Sequence, residues 1–104
     1  MAEEEVAPTP KLSVVVASRE GYGPVAHVVE ALLPQLDAVD GELVGVGPGR
    51  GPEPSYARVR WIGVDDGNIL ALRRRGVEAA RAPVVAIGED HAVPRADWCE
   101  AVLR

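Results

Sequence analysis

Leu12-Ser13-Val14-Val15-Val16-Ala17 is a short apolar run dominated by β-branched valine. A strand with one wet face alternates polar and apolar residues, whereas a strand covered on both faces, as in a parallel α/β sheet, stays apolar throughout. The run therefore predicts a parallel strand with helices above and below it. Pro83-Val84-Val85-Ala86-Ile87-Gly88 has the same character and predicts another such strand. Between and around these two the chain alternates elements. Val25, Val28, Val29, Leu32, Leu33 and Leu36 recur at helical spacing behind Pro24, with Pro34 expected to end or kink that helix. Asp40-Gly41 marks a turn into a strand over 42–47, and the Gly- and Pro-rich stretch 48–55 is loop. Arg58-Val59-Arg60-Trp61-Ile62 alternates and predicts a half-exposed strand. Asp65-Asp66-Gly67-Asn68 offers caps for a helix over 69–82, with Ile69, Leu72, Val77 and Ala80 as its buried stripe. Pro94 is expected to open a last helix carrying Trp98, Val102 and Leu103.

The order strand, helix, strand, strand, helix, strand, helix predicts an α/β fold. Its expected form is a three-layer, Rossmann-like, open and mostly parallel sheet with helices on both faces and right-handed crossovers. At 104 residues there is room for one core, placed over 11–104. Residues 1–10 hold Glu3, Glu4, Glu5, Pro8 and Pro10 and read as a disordered acidic leader. Aromatics make up 4% of the chain and Phe is absent, so Val, Ala, Leu and Ile must build the core.

Charge narrows the function. The leader's three glutamates supply three of the five net negative charges, leaving a nearly neutral body without the basic face of a general nucleic-acid binder. Cys99 is the one cysteine, which rules out an internal disulfide and suits a reducing cytoplasm. No apolar run approaches the roughly 20 residues of a spanning helix, and an acidic start is the reverse of a signal peptide. The expected location is cytoplasmic, with no integral membrane segment and no nucleic-acid partner.

In open α/β sheets ligands bind beyond the carboxyl ends of the strands, where the strand order reverses. Two polar clusters fall at such ends: Ser18-Arg19-Glu20 and Glu89-Asp90-His91. If their strands are neighbours, the clusters share one cleft. Two carboxylates and an imidazole at a strand end are a plausible cation ligand set, and an exposed polar turn is the plainer account of the same three letters. His27, on the polar side of its helix, reads as solvated; Cys99, Trp61 and Trp98 read as packing residues; Arg73-Arg74-Arg75 reads as helix surface.

The stretch from Ala71 to Trp98 resembles the central region of family 2 glycosyltransferases. Arg73 and Gly76 lie on a helix, a strand follows, Glu89-Asp90-His91 stands at an Asp-x-Asp turn, and Pro94 with Asp97-Trp98 leads into the next helix. The likeness extends to Leu12–Ser18 and Glu42–Gly47 as first and second strands. It implies a GT-A-like domain, truncated to the donor half, that binds a nucleotide-diphosphate sugar through a divalent metal, Mn2+ or Mg2+, for glycosyl transfer. By position it implies nucleotide-sugar contacts from Ser18, Arg19, Glu20, Arg73, Glu89 and Asp90, and metal ligands Glu89, Asp90 and His91. His91 in place of a carboxylate favours Mn2+ over Mg2+. Arg74 replaces the family's helix Asn, and Val46-Gly47-Pro48-Gly49 lacks the carboxylates the family carries after its second strand. The length implies a chain without the acceptor half and its catalytic base: a fragment of a longer enzyme, a remnant, or a donor half completed by a second copy or another chain.

Two other readings stay open. One is a non-catalytic α/β interaction module or degenerate remnant. The other is a dinucleotide-binding domain, since Gly21-Tyr22-Gly23-Pro24-Val25-Ala26 matches G-x-G-x-x-A, although Ser18-Arg19-Glu20 separates it from the strand and no acidic residue ends the second strand.

Overall fold

The computed structural model describes residues 9–65, 67–88 and 92–104. Its elements run β1 (Leu12–Ala17), a 3-10 turn (Gly23–Val25), α1 (Ala26–Val39), β2 (Gly41–Gly47), β3 (Val59–Gly63), α2 (Ile69–Ala79), β4 (Val84–Ile87) and α3 (Trp98–Leu103). The four strands form one sheet in the order β3-β2-β1-β4, with all three pairings parallel. The expected α/β fold is therefore present. Of the expected leader, only Thr9 and Pro10 fall within the described residues.

β1 is the centre of the molecule because its side chains feed both faces. Leu12, Val14 and Val16 pack with Val28, Val29, Leu32 and Leu36 of α1 and with Cys99 of α3. Val15 and Ala17 meet Val44 and Val46 of β2 and Leu72 of α2 on the other face. Thus α1 and α3 cover one side and α2 the other, the three-layer arrangement that an unbroken apolar run requires. All six residues of β1 and all seven of β2 are buried.

Local chemistry sets the element ends, and four differ from expectation. Pro34 does not end α1, which continues to Val39. Pro34 and Glu30, whose carbonyl loses its helical donor, are both exposed, so water can satisfy that group. The helix stops instead where Asp40 turns left-handed (φ 57°).

The second helix is shorter than 69–82. Asn68 caps α2 by accepting from Ala71 N at 2.9 Å, but beyond Ala79 the chain is captured for β4: Arg81 N donates to Glu42 Oε2 at 2.8 Å and Ala82 N to Ser13 Oγ at 3.0 Å. The sheet-facing stripe runs through Leu72 and Gly76, with Ile69 and Ala79 packed at its ends. Val77, expected inside, is 42% exposed.

The third difference is β4. It pairs only with β1 and forms one edge of the sheet, while α2 packs over β1 and β2. Its residues are consequently not covered on both faces: Val84, Val85 and Ile87 are 37%, 39% and 49% exposed. The fourth is Pro94, which does not open the last helix. α3 begins at Trp98, where Gln35 of α1 holds the approach, donating from Nε2 to Arg95 O (2.7 Å) and accepting at Oε1 from Cys99 N (2.8 Å). No helix among the described residues is long and apolar enough to cross a membrane.

Candidate functional site

Parallel pairing places the carboxyl ends of β1 and β4 side by side, and between these two strands the order reverses. Gly88 N continues the pairing with a 2.8 Å bond to Val15 O. The neighbour condition for a shared cleft is met.

β1 ends in a tight turn. Ser18 is 2% exposed; its N–H donates to Val46 O at 2.9 Å, and its hydroxyl accepts from Glu20 N at 3.4 Å. Gly21, at φ +93°, completes the turn in a region that disfavours side chains. Fixed in this way, Ser18, Arg19 and Glu20 line a cleft of about 510 Å3 together with Pro24, from the 3-10 turn that leads into α1, and Ile69, the first residue of α2. The cleft thus lies above the end of β1, between the N-terminal ends of helices from opposite layers. Arg19 and Glu20 are exposed, so one guanidinium and one carboxylate are available to a ligand.

The other expected residues fare differently. Arg73 lies on α2 one turn beyond Ile69, half-buried, and does not line this cleft. Glu89, Asp90 and His91 lie outside the described residues, as does Asp66. Among the described residues there is no group of three His, Cys, Asp or Glu side chains that could hold a metal ion. His27 is exposed. Cys99 is fully buried, and that burial pushes its thiol up to about 11, which keeps it protonated and makes it a poor nucleophile. A second, apolar hollow of about 280 Å3 lies between Val28 and Leu32 of α1, Ile87 and Gly88 at the end of β4, and Pro94 and Trp98.

Pro24 and Ile69 were not legible as cleft residues, since each reads as an ordinary helix starter. Also missed was the closure of the neighbouring crevice over β2. There Trp61 of β3 lies across Gly45 of β2 and Gly51 of the loop that follows: a Cβ on either would overlap its side chain. Its Nε1 donates to Gly49 O at 3.2 Å, and Tyr22 meets its ring edge-on at 5.6 Å between centroids. A Cβ on Gly47 would overlap Ser18 O, and one on Gly63 would come within 3.0 Å of Gly49 O. The glycine spacing 45, 47, 49, 51 opposite a lone tryptophan was the available signal.

The fold and the cleft define a three-layer parallel α/β domain with an open crevice at its switch point, an architecture whose ligands enter at that place. Neither protein-family models nor curated proteins give a match to this chain.

Proposed function

We propose that the switch-point cleft is the donor site of a glycosyltransferase-like domain, receiving the diphosphate of a nucleotide sugar together with a divalent metal. The observation that carries this reading is the gathering of Ser18, Arg19 and Glu20 at one cleft beside the end of β4, flanked by the start of α2. Arg19 supplies a fixed positive charge suited to phosphate oxygens. The first turn of α2 adds the partial positive charge of its unpaired N–H groups. Ser18 positions the turn rather than offering its hydroxyl outward, since the residue is nearly buried and its oxygen accepts from Glu20 N.

The metal belongs to the same reading. Two carboxylates and an imidazole, from Glu89, Asp90 and His91, form a donor set whose chemistry fits Mn2+. When bound, the ion would neutralise charge developing on the departing diphosphate. Arg73, a turn away on α2, stands in reserve for longer ligands rather than at the diphosphate itself.

Calorimetric titration of the chain with UDP and with GDP, each with and without Mn2+, tests this. Binding that strengthens with Mn2+ is expected, and Arg19→Ala should weaken it about tenfold, the equivalent of one charge-assisted hydrogen bond. A second reading, a non-catalytic interaction module, draws on the exposed apolar residues of β4. Absence of heat with both UDP and GDP would overturn the nucleotide-sugar reading and favour that one.

A further inference from the structure

We infer that Glu20 is the specificity residue of the cleft, accepting hydrogen bonds from the ribose hydroxyls of the nucleotide; the inference rests on the nucleotide reading above. In open α/β sheets that bind nucleotides, the ribose diol is ordinarily accepted by a carboxylate at the end of the second strand. Here that end has nothing to offer. Residues 45–51 carry no carboxylate, hydroxyl or amide side chain.

Four backbone acceptors beside it are already engaged. Val46 O receives Ser18 N at 2.9 Å, Gly47 O receives Val64 N at 2.9 Å, and Ser18 O receives Gly21 N at 3.4 Å. Gly49 O receives the Trp61 indole N–H. Pro48 O faces Gly21 so closely that a Cβ there would stand 3.1 Å away. The close stacking of Gly47 on Ser18 O and of Gly63 on Gly49 O leaves no space for a side chain to be added. A ligand in the cleft therefore meets no side-chain acceptor in the stretch 45–51, where Arg50 offers donors alone.

Of the described residues that line the cleft, Ser18, Arg19, Glu20, Pro24 and Ile69, only Glu20 presents a carboxylate, and Arg19 has donors alone. The Ser18 hydroxyl is nearly buried and already accepts from Glu20 N, a bond that also fixes the backbone from which the Glu20 side chain projects. A carboxylate can accept from both members of a vicinal diol, and it repels phosphate, so it sorts the two ends of a nucleotide: ribose toward Glu20, diphosphate toward Arg19.

The test is a set of calorimetric titrations of the full chain, in Mn2+ throughout, with UDP, 2′-deoxy-UDP and inorganic pyrophosphate. UDP is expected to bind about tenfold more tightly than its deoxy form. Glu20→Ala should remove that difference, weakening UDP about tenfold while changing pyrophosphate by less than about twofold. Glu20→Gln, which keeps one carbonyl acceptor and the side-chain volume, should fall between, and its far-ultraviolet circular dichroism should match the parent. UDP affinity that survives Glu20→Ala, or an equal loss for UDP and pyrophosphate in both variants, would overturn the assignment while the nucleotide reading stands. No binding of any of the three probes to the parent chain would overturn the nucleotide reading, and this assignment with it.

Discussion

A glycine inside a helix ordinarily costs about 1 kcal/mol relative to alanine, so Gly76 in the middle of α2 is a local conflict that the tertiary structure must resolve. It is resolved by proximity. A Cβ at position 76 would overlap Val15 Cγ1 and stand 3.2 Å from Val46 Cγ2, both on strands buried beneath the helix. Gly76→Ala should therefore destabilise the protein by about 1 to 3 kcal/mol, because overpacking against two rigid valines outweighs the gain in helix propensity. Urea unfolding of the two proteins measures this, and a higher midpoint for the alanine variant would refute the packing account. From sequence alone, the helical register placed Val77 inside and left Gly76 open to close packing, ligand approach or a simple helix irregularity, since helical periodicity scores side chains and does not register a position whose value is the absence of one. The same blindness hid the clearance that Gly45 and Gly51 give Trp61, which reads in the letters as loop punctuation.

Among the elements, the amino ends of the strands are tied by one carboxylate. Glu42, nearly buried at the start of β2, accepts from Ser13 Oγ of β1 (2.6 Å), from Arg60 Nη2 of β3 (2.9 Å), and from Arg81 N in the connection to β4. Arg60 Nη2 also donates to Ala79 O at the end of α2, at 2.7 Å. Burial alone would raise the Glu42 pKa, but the hydrogen bonds from Ser13, Arg81 N and Arg60, with the Arg60 charge, outweigh it and hold the carboxyl below its ordinary value of 4.5. With the folded value depressed, the ionised carboxylate stabilises the fold fully above pH 4.5, and that contribution is lost as pH falls through the folded value. Glu42→Gln should cost about 2 kcal/mol near neutrality and flatten the acid limb of the stability curve. Denaturant midpoints from pH 7 down to pH 3 read both effects; an unchanged acid limb in the variant would remove Glu42 from the account. None of this network was legible. The element order was, because apolar runs and turn residues are local signals, whereas Ser13, Glu42, Arg60 and Arg81 become partners only after the strands are placed beside one another. The helix overrun to residue 82 has the same origin, for it is Glu42 and Ser13 that pull the chain out of α2.

For the molecule as a whole, the decisive legible fact was the pairing of polar clusters with strand ends, which put Ser18, Arg19 and Glu20 beyond the end of β1; the adjacency of β1 and β4 makes that place the switch point. What the letters could not convey is how unevenly the sheet is covered. β1 and β4 have nearly the same composition, yet one is sealed at the centre and the other lies at the edge, because α2 crosses over β1 and β2 and leaves β4 outside its footprint. Valine and isoleucine have the same hydropathy at either place, so the run 83–88 looks as central as the run 12–17. The consequence is a strand with one unpaired edge among the described residues, no charge from Ala82 to Gly88, and half-exposed Val84, Val85 and Ile87. Leu70, 70% exposed on α2, and Val77 add further apolar surface. An uncharged edge of this kind templates pairing with another strand, and natural sheets commonly block it with lysine. Val85→Lys should therefore lower light scattering during a slow thermal ramp at high protein concentration, while shifting stability by no more than about 0.5 kcal/mol because the site is partly solvated. If the ramp is unchanged by the lysine, association on heating proceeds through another surface and the edge is already protected in solution.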